Sequence, residues 1–333
     1  MQHSKKSRPS RSLLVWGIGI AFLQTEERIG CMPTSMLRVK ALALFLAGVA
    51  TIAGAADAKS AFTVSPLGGS VSLLQGNECN IAVSAGQDGV VVVDTCGARV
   101  SDQLIASVRR VSGNPIRFVI NTHAHGDHSG GNAAFQKFAP IIAHDSVRKR
   151  MAVGNEVTGD KPSPPEALPI ITFDGEVTFH LNGEEIRLLK LPSGHTDGDV
   201  AVFFKNANVV CMGDAFMSPA ASFGDRWFGG GMLGLIAELE FVLPQIPSEA
   251  KIIPGHGVVS TRADVVRGLE VLKAMRAVVE TAVGQSKTLE QLTAERPFDR
   301  WRNSVPEWSS SDGSLDSMVR SFYRETTAKL QGN

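Results

Sequence analysis

From Phe62 onward, short apolar runs alternate with amphipathic ones. Asn80–Ala85 (NIAVSA) and Val90–Thr95 (VVVVDT) are strand-like and flank Gly86-Gln87-Asp88-Gly89, which predicts a β-hairpin. Val100–Val111 has the spacing of an amphipathic helix. IRFVIN (Ile116–Asn121) is a buried strand by its continuity, Asn132–Phe138 a helix, and PIIAH (Pro140–His144) a further strand. Gly154–Pro169 is rich in Pro and Gly and predicts a loop. Strands are expected in EVTFHL, EIRLLKL, VAVFFK and NVVCMGD (Asn208–Asp214). Met217–Gly231 reads as irregular, Leu233–Val242 as a helix, and KIIPGHG (Lys251–Gly257) as a strand ending in a tight turn. Ala263–Val283 is a long helix by its apolar spacing, and the tail from Leu289 to Leu330 is mostly helical and polar. No internal repeat is visible by period. Strands interleaved with helices place the chain in the α/β class.

The first 58 residues read differently. Lys5, Lys6, Arg8 and Arg11 precede an apolar run at Leu13–Leu23, and Arg38 and Lys40 precede another at Ala41–Ala56. Either run is short for a membrane span. The second has the charged start, apolar middle and small residues of a secretory signal, with cleavage expected near residues 55–58. Two such segments in tandem make little physical sense. The expectation is therefore a start at Met32 or Met36, with residues 1–35 outside the translated protein. The chain divides into a leader (1–58), a main domain (59–285) and a C-terminal helical extension (286–333). Export implies a periplasmic or secreted protein with no stable membrane anchor once the leader is cleaved.

Export permits disulfides. Cys31 leaves with the leader, and Cys79, Cys96 and Cys211 remain. If Gln87-Asp88 is a two-residue turn, pairing outward from it places Cys79 opposite Cys96, at a non-hydrogen-bonded pair where side chains approach closely. A three-residue loop would break that register, and two reduced core cysteines are the alternative. The 33 basic and 33 acidic residues cancel, which argues against a nucleic-acid partner.

The chemistry concentrates in THAHGDHSGGN (Thr122–Asn132), which holds three of the eight histidines. In an extended segment His123 and His125 project to the same side, and Gly126 allows a turn before Asp127 and His128. Imidazole nitrogen and carboxylate oxygen are zinc ligands, and a catalytic zinc keeps a position open for water. Three more candidates end predicted strands: His195 in PSGHTDGD, Asp214 in CMGDAF and His256 in PGHG. Glycine beside each lets the backbone bend and approach a metal. Scattered core histidines would not gather in Gly-flanked turns in this way. His144 and His180 read as structural.

THAHGDH, SGHTDGD, MGDAF and PGHG, in this order, resemble the metallo-β-lactamase superfamily of metallo-hydrolases, over about residues 62–280. Asp94, ending VVVVDT, matches that family's first aspartate, which lies behind the ligands. The resemblance implies a four-layer αβ/βα sandwich with the metals at one edge between two sheets. It implies a first zinc on His123, His125 and His195, a second on Asp127, His128 and His256, and Asp214 bridging both. Many class B1 β-lactamases carry cysteine at the Asp214 position, and Cys211 lies too early on its strand to replace it. The set is therefore closer to the glyoxalase II-like, bridging-aspartate branch. Aspartate is a harder ligand than thiolate, so iron and manganese remain open beside zinc.

The implied chemistry is cleavage of an acyl bond in a small molecule (β-lactam, thioester, lactone or other ester) by a metal-bridging hydroxide, with Asp127 orienting the nucleophile and shuttling a proton. Substrate contacts are expected in Gly154–Pro169 and in Met217–Gly231, from Phe216, Phe223, Trp227 and Phe228, with Arg226 able to meet a carboxylate. Ordinary packing under a loop is the alternative. Acyl-homoserine lactonases of the superfamily use a tyrosine beside the metals, and Tyr323, far along the tail, is the single tyrosine. Two other readings stay open: a mononuclear iron persulfide dioxygenase-like enzyme, and a non-catalytic zinc-binding protein. Oligomeric state is left undetermined.

Overall fold

The computed structural model describes residues 62–76, 78–218, 222–305 and 312–332. The leader and its cleavage site lie outside the described residues. Strands β1 (Thr63–Gly68), β2 (Val71–Gln75), β3 (Asn80–Gly86), β4 (Gly89–Val93), β5 (Ile116–Ile120), β6 (Ile141–His144) and β7 (Ile171–Phe173) form one seven-stranded sheet in sequence order. The second sheet has six strands: β8 (Glu176–Leu181), β9 (Glu184–Lys190), β10 (Val200–Phe204), β11 (Val209–Gly213), β12 (Lys251–Pro254) and β13 (Ser260–Thr261), in the order β13-β12-β11-β10-β9-β8.

Strand periodicity explains the layering. Successive side chains point to opposite faces, so a strand covered on both sides must be apolar at every position. In β4, Val90 and Val92 enter the core beneath α1 (Ser101–Val111), while Val91 and Val93 enter the core between the sheets. Ile186, Leu188, Val202 and Phe204 meet them from the second sheet. On that sheet's other face, Leu189, Ala201, Phe203 and Val210 pack against α5 (Met232–Val242), α6 (Arg262–Gly284) and α8 (Asp312–Leu330). The result is the α/β, four-layer αβ/βα sandwich that the sequence resemblance implies. Leu315, Met318, Val319 and Phe322 of α8 share the core of α5 and α6. Among the described residues, no helix is long and apolar enough to cross a membrane.

The β3–β4 hairpin has the expected two-residue turn, with Gly86 opposite Gly89 and Ala82 opposite Val93. That register carries Cys79 to Cys96, and the two form a disulfide with a Cα–Cα distance of 5.8 Å. Cys211 is the free cysteine of the described residues, buried between the sheets, and burial pushes its thiol up to about 12.

Some elements differ from the sequence reading. The helix expected over Asn132–Phe138 spans only Asn132–Phe135 (α3). β1, β2, β7, β13 and the helix α4 (Asp145–Val153) were not anticipated. α4 buries only Val147 and Met151, too sparse an apolar stripe to reveal a helix by period. Its start is set by His144, whose ring accepts the Ser146 amide at 3.2 Å, while His180 is exposed on β8.

Candidate metal centre

The site gathers at one edge of both sheets because the strands that end there run the same way. β4 and β5 are parallel, as are β11 and β12. β9 is antiparallel to β10, which is antiparallel to β11, so β9 also points to that edge. The residues after these strands are Asp94, the His123–His128 turn, His195, Asp214 and His256. Two cross-sheet bonds hold the edges together: Val200 N–H donates to Thr122 O at 2.9 Å, and Asn80 N–H to Gly255 O at 2.9 Å. A side chain on Gly255 would begin 1.8 Å from Asp214 Oδ1, so only glycine admits the carboxylate there.

His123, His125, His195 and Asp214 form one group of converging ligand atoms, and Asp127, His128, Asp214 and His256 form a second. Asp214 belongs to both. Its Oδ2 lies 3.8 Å from His123 Nε2, 3.6 Å from His195 Nε2 and 3.4 Å from His256 Nε2, and its Oδ1 lies 3.2 Å from His128 Nε2. Asp127 Oδ2 is 3.1 Å from His256 Nε2.

The outward ring nitrogens decide what the inward ones offer. His128 Nδ1 donates to Asp94 at 2.8 Å, and His195 Nδ1 to the Phe223 carbonyl at 2.7 Å. His125 Nε2 donates to Asp225 at 3.1 Å. Thr122 Oγ1 donates to Asp94 at 2.7 Å and accepts from His123 Nδ1 at 3.0 Å. In the neutral form, one ring nitrogen carries the proton and the other a lone pair. All four outer partners therefore leave lone pairs facing the centre. There His195 Nε2 meets His125 Nδ1 at 2.9 Å and His128 Nε2 meets His256 Nε2 at 3.2 Å. His123 Nε2 is buried with no hydrogen-bond partner. Buried acceptors aimed at one another cost free energy unless a cation sits among them. The donor set thus fits metal ions of the zinc class.

In the metal-free chain the rings divide, His123 held neutral while His128 and His256 are drawn toward protonation by the carboxylates. Burial, with the neighbouring His128, holds His123 well below the ordinary imidazole value. Burial opposes protonation of His128 too, but Asp214 and Asp94 outweigh it and hold that ring well above. Burial likewise works against His256, yet Asp127 and Asp214 raise it to about 9. Asp214 resists burial and is held well below the usual carboxylate range by His128.

Asp94 adopts φ 68°, a left-handed conformation that Asp tolerates better than most residues. Its two oxygens accept from Thr122 N, Thr122 Oγ1 and His128 Nδ1. Sequence reasoning missed Asp225 and Thr122 as supports for the ligands. Asp225 lies within the irregular segment, where no spacing rule connects it to His125, 100 positions earlier. Asp225→Ala is expected to weaken metal binding about 10- to 100-fold, the usual effect of removing a carboxylate behind a ligand histidine. Competition with a chromophoric chelator measures it, and unchanged affinity would refute that role.

The expected substrate contacts divide. Phe216 is a correction: it is fully buried in the core under α5 and offers no surface to a ligand. It follows the turn at Gly213–Asp214, and an apolar ring there gains more by entering the core. Arg226 and Trp227 are exposed and line a cavity with Phe223. Phe228 is buried and packs edge-on against His125. The metal cavity itself is lined by Glu78, His125, Asp127, Asp214, Met217, Phe223 and His256.

His195 is supported from behind. Its backbone N–H donates to Glu238 Oε2 at 3.0 Å, and Glu238 is fully buried on α5. Glu238 Oε1 finds no donor among the described groups, and its neighbour is the buried Asp199 carboxylate. A proton shared between the two acids satisfies both. Burial, reinforced by the Asp199 charge, raises Glu238 well above its ordinary 4.5. The folded chain therefore holds a proton here that the unfolded chain has lost, so this contribution to stability is full below about pH 4.5 and declines as pH rises. Glu238→Gln keeps an acceptor for His195 and cannot ionise. Its melting temperature should gain on the parent's as pH rises from 4.5 toward 8. A pH-independent difference in thermal melts would contradict the shared proton.

A family model described as the metallo-beta-lactamase superfamily matches residues 74–260, more than half of the chain. The chain belongs to the metallo-β-lactamase superfamily. It is 26% identical over 185 residues to a protein named probable metallo-hydrolase from Methanocaldococcus jannaschii, covering 52% of this chain and 84% of that one. It is 29% identical over 157 residues to the hydroxyacylglutathione hydrolase of Nitrosococcus oceani, covering 46% and 53%. Its counterpart in Methylococcus capsulatus is 31% identical over 141 residues, covering 41% and 47%. The chain spans about half the length of these two hydrolases. Among solved structures, a metallo-β-lactamase from Pontibacter korlensis superposes with TM-score 0.55 at 17% identity, covering 64% of this chain and 99% of that one. The DIM-1 metallo-β-lactamase gives 0.53 at 18%, covering 64% and 97%. These superpositions show the fold. The family match and the hydrolase relatives make this superfamily member a metal-dependent hydrolase.

Proposed function

We propose that the chain is a dinuclear zinc hydrolase that cleaves acyl bonds, with thioesters the first class to test. The observation that carries the dinuclear reading is the pair of ligand groups sharing Asp214. In this reading His123, His125 and His195 would hold the first zinc, Asp127, His128 and His256 the second, and Asp214, which belongs to both groups, would serve both. Thioesters come first because relatives are named hydroxyacylglutathione hydrolase and atrochrysone carboxyl ACP thioesterase. The Asp ligand in place of thiolate supports the same choice over β-lactams.

Bound zinc supplies Lewis acidity toward a substrate carbonyl and lowers the pKa of water from 15.7 to about 7. The chain's own groups do the rest. Asp127, with a side chain 43% exposed, reaches solvent from the ligand set and is placed to orient water and pass its proton outward. Asp94 and Asp225 fix the rings of His128 and His125, so the inward nitrogens need no reorientation during turnover. The Cys79–Cys96 disulfide supports an oxidising, periplasmic or extracellular location.

The test measures metal content and turnover on one preparation, with zinc, iron and manganese quantified and a thioester, a lactone and a cephalosporin assayed. Two zincs and chelator-sensitive thioester cleavage are expected. One iron without hydrolysis would instead favour a mononuclear dioxygenase, and two zincs without turnover a metal-binding protein. Either result overturns the proposal.

A further inference from the structure

A cavity of about 280 Å³ lies between the segment after Ser222 and the helix α8. Arg226 and Trp227 line one side, and Ser317, Ser321 and Arg324 of α8 the other. The Arg226 guanidinium carbon lies over the Trp227 ring, 3.6 Å from its centroid. Stacking of this kind orders a flexible side chain and leaves its N–H edge free to bind.

The acids that would ordinarily neutralise these arginines are committed elsewhere. Glu325 accepts the Met232 and Leu233 amides at 3.0 and 2.8 Å and the Ser321 hydroxyl at 2.8 Å. It therefore caps the first turn of α5. Asp225 accepts from His125 and from the Trp227 amide. Among the described residues, neither Arg226 nor Arg324 has a carboxylate within ion-pair distance. Partial burial, followed by the Arg226 charge, lowers the pKa of Arg324, and Glu325 offsets only part of this. Two arginines facing one cavity, with Glu325 and Asp225 nearby but engaged by backbone amides and the His125 ring, are arranged to receive an anionic ligand.

The cavity adjoins the metal centre. Phe223 lines both, and its carbonyl accepts the His195 ring N–H. An acyl group at the metals and an anionic group between the arginines can thus belong to one molecule. We propose that this cavity binds a carboxylate on the acyl part of the substrate, remote from the bond that is cleaved. The proposal rests on the acyl-hydrolase reading above and narrows it to acidic acyl chains. Arginine's planar fork matches a carboxylate's two oxygens, and Ser317 adds a hydroxyl on the facing helix.

The first experiment compares kcat/KM for phenyl thioesters of ω-carboxyacyl chains of graded length with their ω-carboxamide twins, in the parent and in Arg324→Ala. The parent should prefer one carboxylate length, and the variant should lose about 10- to 100-fold of that preference, the worth of a charge-assisted hydrogen bond. Arg324→Lys should recover only part of it, because an ammonium lacks the fork. A preference that is absent in the parent, or unchanged in Arg324→Ala, overturns the proposal.

The second experiment separates this proposal from the hydrolase reading. Calorimetry on the metal-free protein compares glutarate, glutaramide and inorganic phosphate. Glutarate binding that Arg324→Ala weakens supports the site even if no thioester turns over. Equal binding of glutarate and glutaramide, tighter binding of phosphate, or glutarate binding unaffected by Arg324→Ala overturns it.

Discussion

Asp214→Ala should abolish turnover and reduce bound zinc from two equivalents to less than one. The loss of rate is expected to exceed about a thousandfold, because the water that attacks depends on metal to reach a pKa near 7. No other side chain can take over. Asp214 is 4% exposed, its oxygens face four imidazole nitrogens, and Gly255 seals the space behind it. Cys211 cannot substitute, since it points into the core between the sheets. The variant should also unfold more easily without metal. The His128 and His256 rings, held above their ordinary values partly by Asp214, would lose their counter-charge inside the protein. Asp214→Asn keeps the shape and one acceptor oxygen. It separates loss of metal from loss of fold: circular dichroism should be native while zinc and turnover are lost. Two retained zincs in Asp214→Asn would remove the bridging carboxylate from the account.

Reducing the Cys79–Cys96 bond, or replacing both cysteines by serine, should cost about 3 kcal/mol of stability. That is the loop-closure entropy for a loop of this length, the cysteines being 17 positions apart. For a domain of this size it corresponds to a fall of roughly 6–12 °C in melting temperature. The bond also has a local task. Cys96 follows Asp94 by two positions, with φ 51° against φ 68° at Asp94, and its carbonyl accepts the Gly131 amide behind the histidine turn. Glu78, beside Cys79, lines the metal cavity and accepts the Gly97 amide at 3.1 Å. Loss of the bond should therefore loosen metal as well as the fold. Thermal melts and zinc titrations with and without reductant measure both effects. Equal melting temperatures would show that the hairpin register alone holds this corner.

The hairpin explains why parts of this structure were legible in advance. A two-residue turn fixes every pair outward from it, so Cys79 and Cys96 could be placed opposite each other by counting. The ligand candidates were legible because they follow strands, and His125, Asp127, His195, Asp214 and His256 sit beside glycine. Parallel strand ends gather such residues at one edge. Asp225, Glu238 and Arg324 were not legible. Asp225 reaches His125 through the path of an irregular segment, and Glu238 reads as a polar residue on an apolar helix. Arg324 lies on a polar tail whose docking depends on Leu315, Met318 and Phe322 finding the core of α5 and α6. Phe216 misled because its nearness to Asp214 in the chain says nothing about which way the ring points.

The most direct test of the central claim is anomalous diffraction at the zinc absorption edge from crystals grown with zinc. The account predicts two peaks at the sheet edge. One lies among His123, His125, His195 and Asp214, the other among Asp127, His128, Asp214 and His256, with the Asp214 carboxylate between them. A single peak in the first group, with the second group unoccupied at saturating zinc, would contradict it.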